Sequence, residues 1–209
     1  MEQPPTTVGS ARGKGGRPRS FDREAALERA MLVFWRHGYE TTSISDLTAA
    51  MGITPPSLYT AFGDKQRLFL EAVRRYAGEP GANDAMIADA RSAREAARMM
   101  LDGAVTLFTG DTTPPGCLMA SATASGSAAS QDVQAAVATY RRHIAASLKS
   151  KIEQDVDAGM LPHGTDAAGL AGMIVAVIQG LSVMARDGAL RASLTAVADA
   201  AMHAWPSQP

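Results

Sequence analysis

An all-α fold follows from three observations on this chain of 209 residues. Apolar residues recur three and four positions apart along most of its length. No run alternates apolar and polar residues as a half-buried strand would. Helix punctuation, with a capping residue before and Gly or Pro behind, brackets the periodic stretches. The predicted organisation is a disordered basic tail over 1–20, a domain of short helices over 21–76 and a domain of longer helices over 77–205.

The tail is rich in Pro, Gly, Thr and Arg and has no apolar period. Asp22 offers an N-cap, and Leu27, Ala30, Met31 and Phe34 mark one face of a first helix that Gly38 ends. Ser43 with Asp46 three residues on has the form of a capping box for a second, whose stripe is Ile44, Leu47 and Met51. Gly52 breaks that stripe. Thr54 caps a third helix that begins with Pro55 and Pro56. The first N–H groups of a helix have no intrahelical partner, so proline loses little there, and its fixed φ stiffens the start. Leu58 and Phe62 face inward, leaving Ser57, Tyr59 and Thr60 outside. Asp64 caps a fourth helix carrying Leu68, Phe69 and Val73.

From about Asn83 the chain turns Ala- and Met-rich. Ser92 and Glu95 form another predicted capping box, opening a helix through Phe108 with Ala97, Met100, Leu101 and Ala104 on one side. GDTTPPG over 110–116 reads as a loop, and a short helix is expected around Gly126. Ser130 starts a long helix whose buried line is Val133, Val137, Tyr140, Ile144, Leu148 and Ile152. Two more helices follow, over about 166–187 and 190–204. The first of them is apolar on all sides and long enough to span a bilayer, but Gln179, Ser182, three glycines and close flanking charges favour a buried soluble helix.

Charge divides the chain. Residues 1–76 hold 11 Lys and Arg against 8 Asp and Glu; the remainder holds 9 against 13. A weakly basic front and an acidic rear suggest two jobs. Cys117 has no cysteine partner in the chain and fits a reducing compartment. His37, His143, His163 and His203 lack metal-ligand spacing, and no phosphate loop, nucleophile elbow or dinucleotide fingerprint occurs. The sequence therefore argues against an enzyme and calls for no cofactor or metal.

The second and third helices, joined by Met51-Gly52-Ile53, match a helix-turn-helix. The bland reading is a bundle using the same turn for packing alone; the exposed polar and aromatic first turn beside a basic arm favours DNA. At this point the sequence resembles the TetR family of bacterial transcription regulators. The match runs from Gly16 to about Tyr76, with Gly38-Tyr39, Thr42-Ser43-Ile44, Gly52-Ile53, Ser57-Leu58-Tyr59, Phe62 and Lys65 as landmarks. Behind it only the helical layout and Pro115-Gly116-Cys117-Leu118 resemble the family. The resemblance implies three DNA-binding helices, a fourth connecting helix, and a helical domain that binds a ligand and forms a dimer.

A recognition helix places its N-terminal residues at base edges. By the matching motif positions these are Thr54, Pro55, Pro56, Ser57, Tyr59 and Thr60. They include no Arg, Asn or Gln, so readout would rest on apolar contact with thymine methyls and on DNA shape. Tyr59, Lys65 and Ser43 are candidates for phosphate contacts. Arg17 and Arg19, in a Gly-Arg-Pro-Arg stretch, either enter the minor groove or belong to a solvated tail.

In the rear domain Ala168, Gly172, Ala176 and Gly180 recur every four residues, with Met184 beside them. A homodimer is expected through this helix and the last one, at Leu194 and Val197; the alternative is an intrachain core helix. Met100, Phe108, Cys117, Tyr140 and Gln179 are the candidate wall of a site for a small-molecule effector. The reading is a cytoplasmic, nucleoid-associated repressor released from a palindromic operator by that effector. The alternatives are an activator or constitutive regulator without a ligand, or a thiol sensor acting through Cys117.

Overall fold

The structure, a computed structural model, describes residues 21–78, 81–121 and 130–206. Among them are ten helices and no strand. The head comprises α1 (Arg23–His37), α2 (Ile44–Met51), α3 (Pro55–Phe62) and α4 (Lys65–Ala77). The body comprises α5 (Ala82–Asp89), α6 (Ala93–Phe108), α7 (Leu118–Ser121), α8 (Gln131–Asp157), α9 (Ala167–Arg186) and α10 (Arg191–His203).

The head's helices start where capping side chains collect first-turn N–H groups: Asp22 for α1, Ser43 for α2, Thr54 for α3 and Asp64 for α4. At α2 the box is complete, because Asp46 also accepts the Ser43 N–H at 2.9 Å. At α6 it is not. Ser92 accepts from Glu95 N–H at 3.1 Å, but the Glu95 carboxylate turns back to the backbone and guanidinium of Arg91. A charged partner one residue upstream thus displaces the reciprocal bond.

α1 lies across α2 and α4, and its Phe34 is the hub of the head core. Phe34 meets Phe69 edge-on at 5.1 Å between ring centroids, and Phe69 meets Tyr39 at 5.1 Å. In the body, α6, α8, α9 and α10 pack around a core of Ala, Leu and Ile. Asp155 is buried there and accepts the N–H of Ala93 at 2.7 Å, satisfying a first-turn donor of α6 from α8.

Sequence periodicity did not anticipate α5, which has almost no sided apolar pattern and one buried residue, Ile87. A short helix does follow the 110–116 loop, at Leu118–Ser121; the expected helix around Gly126 lies outside the described residues. α9 is long and apolar enough to cross a membrane by length and composition alone. One face, with Ala171, Ile174, Leu181 and Ala185, is buried against neighbouring helices. Leu194, expected at a partner surface, is instead 0% exposed and belongs to the protomer's own core. Helix α10 points it inward, toward α6 and α9.

Candidate nucleic-acid interface and ligand cavity

Helix α2 ends at Gly52, whose φ of 70° and ψ of 32° are left-handed. That turn reverses the chain within three residues, and Thr54 then caps α3 in an extended conformation. Leu58 and Phe62 are buried and anchor α3, so its first turn stands clear. Thr54, Pro55, Pro56, Tyr59 and Thr60 are exposed and Ser57 is half-buried. The first two residues have no N–H, and the third, Ser57, gives its N–H to Thr54 Oγ1 at 3.4 Å. Thr54 and Ser57 hydroxyls pair at 2.9 Å, and Thr60 donates to Pro56 O at 2.8 Å. What α3 offers outward is therefore proline carbon, hydroxyl oxygens already oriented, and Tyr59. The Tyr59 side chain is 49% exposed, and its hydroxyl has no hydrogen bond among the described residues.

The other expected head residues divide. Ser43 lies exposed at the start of α2, its hydroxyl donating to Asp46 at 2.6 Å. This bond and the Ser43 N–H hold the Asp46 carboxyl below the usual range. Lys65 is not brought out with the α3 tip. Its ammonium lies 4.5 Å from the Tyr39 ring centroid and donates to Glu40 O at 3.3 Å. Partial burial pulls its pKa down. Arg17 and Arg19 lie outside the described residues.

In the body, Met100, Phe108, Cys117, Tyr140 and Gln179 come from four different segments yet line a single cavity of about 190 Å³. It explains why the buried line of α8 is interrupted: Val137 and Leu148 are buried, whereas Tyr140 and Ile144 between them are half-exposed to the cavity. Sequence reasoning missed Tyr76, Asn83 and Arg141 in the same wall. Asn83 donates to the Tyr140 hydroxyl at 2.6 Å, and this bond divides the inner cavity from a second hollow of about 400 Å³ bordered by Arg74, Asp84 and His143. Asn83 sits on α5, which carries no periodic signal; the onset of α8's polar break at Tyr140-Arg141 was the one clue available.

The cavity wall is tied to the head. Tyr76 on α4 donates to Cys117 Sγ at 3.4 Å, and its ring meets Trp35 of α1 edge-on at 4.8 Å. Burial pushes the Tyr76 hydroxyl far above its ordinary pKa, so it remains a donor. The Trp35 indole N–H donates to Gly116 O at 2.8 Å. Arg186 at the end of α9 donates to Cys117 O at 2.9 Å and Trp35 O at 3.3 Å, and Ser182 Oγ accepts the Cys117 N–H at 2.8 Å. Gly116, at φ 76°, fits here because a Cβ would stand 2.7 Å from Ser182 O. Cys117 itself is buried.

A two-helix motif with its second helix tip exposed, held on a helical body with a cavity, defines a helix-turn-helix DNA-binding regulator. Comparison with known proteins supplies the family. Residues 26–72 match the model for bacterial regulatory proteins of the tetR family, and 93–203 match a tetracyclin repressor-like C-terminal domain. The chain is 33% identical over 193 residues to the HTH-type transcriptional repressor ComR of Escherichia coli, covering 91% of this chain and 92% of ComR. It is also similar to a cysteine mutant of the TetR family regulator CifR complexed with a 26-base-pair double-stranded operator: TM-score 0.84, 42% identity, 91% of this chain and 100% of that one. Reduced E. coli NemR, at 18% identity and TM-score 0.75, over 90% of this chain and 97% of that one, shares the fold. The chain belongs to the TetR family: it is a DNA-binding transcriptional regulator and not an enzyme.

Proposed function

We propose that this protein is a homodimeric repressor, acting in the cytoplasm at the chromosome, that leaves a palindromic operator when a small molecule fills the cavity between α4, α5, α6, α8 and α9. The observation that carries the reading is the shared wall: Tyr76 and Cys117 line the cavity and are also bonded to the structure that holds Trp35 of α1. A ligand that favours a different placement of Tyr76 or Cys117 biases the position of α1 and α4, and with them α3. DNA and ligand then oppose each other by reciprocal coupling. ComR, similar over nearly its whole length, is named a repressor, and CifR is seen on operator DNA.

Thr54, Pro55, Pro56, Ser57, Tyr59 and Thr60 face the major groove in this reading, with Tyr59 and the α2 start at Ser43 on phosphates. The dimer forms on the outer face of α9. Gly172, Ala176 and Gly180 are exposed, and a Cβ on either glycine would meet nothing within 4 Å, so a partner helix can approach closely. Val183 is 55% exposed beside them, and only 28% of the most apolar window of α9 is buried within one protomer. Met184 and Val197, both half-buried, flank the stripe. A twofold axis here would set two α3 tips about 34–36 Å apart, or a multiple of that.

The test is selection of bound genomic fragments by the full chain, followed by anisotropy titration on the recovered site. A dimer by sedimentation, a palindromic footprint and at least about a tenfold loss of affinity for Tyr59→Ala, equivalent to about 1.4 kcal/mol, are expected. A monomer, or a Tyr59→Ala protein that binds the site unchanged, overturns the reading.

A further inference from the structure

We propose that the inner cavity takes a small amphipathic carboxylate, a ring-sized or short-chain monocarboxylic acid anion, with its charged group on Arg141. The inference rests on the cavity being the effector site. Size sets the body of the ligand. A dry cavity of about 150 Å³ accommodates benzene, and this one offers about 190 Å³. Much of its lining is hydrocarbon, including Ile87, Leu107, Phe108, Val175 and Ile178.

Charge sets the head. Among the described residues lining the cavity there is no Asp or Glu, and Arg141 is the one Lys or Arg. Arg23, Arg75, Arg91 and Arg98 each meet a carboxylate within 4.0 Å. Arg141 meets none among the described residues. Its contact is a long bond, 3.4 Å from Nη1 to the neutral Gln179 Oε1. A guanidinium holding only a stretched amide bond beside an apolar wall favours an anion, because a carboxylate accepts two parallel N–H bonds where the amide accepts one. Tyr140 lines the same cavity. Its hydroxyl accepts from Asn83, and burial raises its pKa, so its own proton is retained for donation to an incoming oxygen. The nearest acid on the adjoining hollow, Asp84, is already engaged by His143 Nε2 at 2.7 Å and Ser147 Oγ at 2.6 Å and does not line this cavity. Arg141 is thereby left for a ligand.

The experiment is calorimetric titration of the full-length protein with two matched pairs, benzoate against benzamide and octanoate against octanamide. Arg141→Gln and Tyr140→Phe proteins are titrated in parallel, with folding checked by circular dichroism. The expected result is binding of at least one carboxylate about tenfold or more tighter than its amide, the fold-change of a charge-assisted bond. Arg141→Gln erases that preference while the amide's affinity stays put; Tyr140→Phe weakens the acid by a smaller factor. Amides that bind as well as acids, or an Arg141→Gln protein with the preference intact, overturn the anion inference and leave the cavity reading standing. If no probe binds, the carboxylate inference falls. Operator release by other compounds then decides the cavity reading separately.

Discussion

In the head, Phe34, Tyr39 and Phe69 interlock with ring centroids 5.1 to 6.2 Å apart. In the body, one stretch of α8 from Tyr140 to Ile144 faces unfilled space between otherwise buried turns. Rings packed edge to face leave a core few alternative arrangements. Methionine and small side chains around a hollow can repack at less cost. In the proposed function both serve: the stiff element presents α3 in one orientation, and the deformable one takes the arrangement that a ligand would select. The seam between them joins the hydrogen bonds of the Trp35–Gly116–Cys117–Arg186 cluster to apolar packing, since Leu118, Val133 and Val137 of the body are buried in the head's core.

The contrast is broken most severely in the head. Phe69→Ala removes the ring that touches both Phe34 and Tyr39, and is expected to destabilise the protein by about 3–5 kcal/mol. Denaturant unfolding measures this, and a loss within 1 kcal/mol, by the same order-of-magnitude scale, would show a head as adaptable as the body. The body supplies its own internal contrast one turn apart on α8. Leu148→Ala, at a fully buried site, should cost about 2–5 kcal/mol. Ile144→Ala, which enlarges a cavity that already exists, should cost well under half as much while changing ligand binding. Equal losses in the two variants would mean that the cavity is closed in solution.

The smallest effect is at the exposed start of α2. The folded pKa of Asp46 is lowered, so its capping contribution is present above the unfolded carboxyl value of 3.8 and disappears as pH falls through the lower folded value. The gap in melting temperature between the native chain and Asp46→Ala should therefore be open at neutral pH and narrow as pH is lowered below 3.8. A gap that is constant with pH would mean that the carboxylate does not cap α2.

Local chemistry made much of this molecule readable. Asp22, Ser43, Thr54 and Asp64 each begin a helix because their side chains accept the N–H three residues ahead, a relation contained in the sequence. The exposed tip of α3 was equally legible, since Leu58 and Phe62 dictate which side is inside. The five candidate cavity residues were named from sequence, but not the cavity's polar rim, because Asn83 belongs to a helix with no apolar period. Leu194 went the other way: its spacing marks an apolar face without saying whether the protein's own core or a second copy covers it.

The sequence alone determined most of the long helices, the caps of the head, the turn at Gly52 and the family to which the chain belongs, because capping, periodicity and motif spacing act over a few residues. Only the tertiary structure decided that Tyr76 and Asn83 join Cys117, Tyr140 and Gln179 around one hollow, that Arg141 meets an amide there in place of a carboxylate, and that Trp35 bonds to Gly116 from 81 positions away. Those relations depend on how helices cross and on what space they leave between them. Helix crossing is set by the fit of many side chains at once, and no single stretch of sequence contains it.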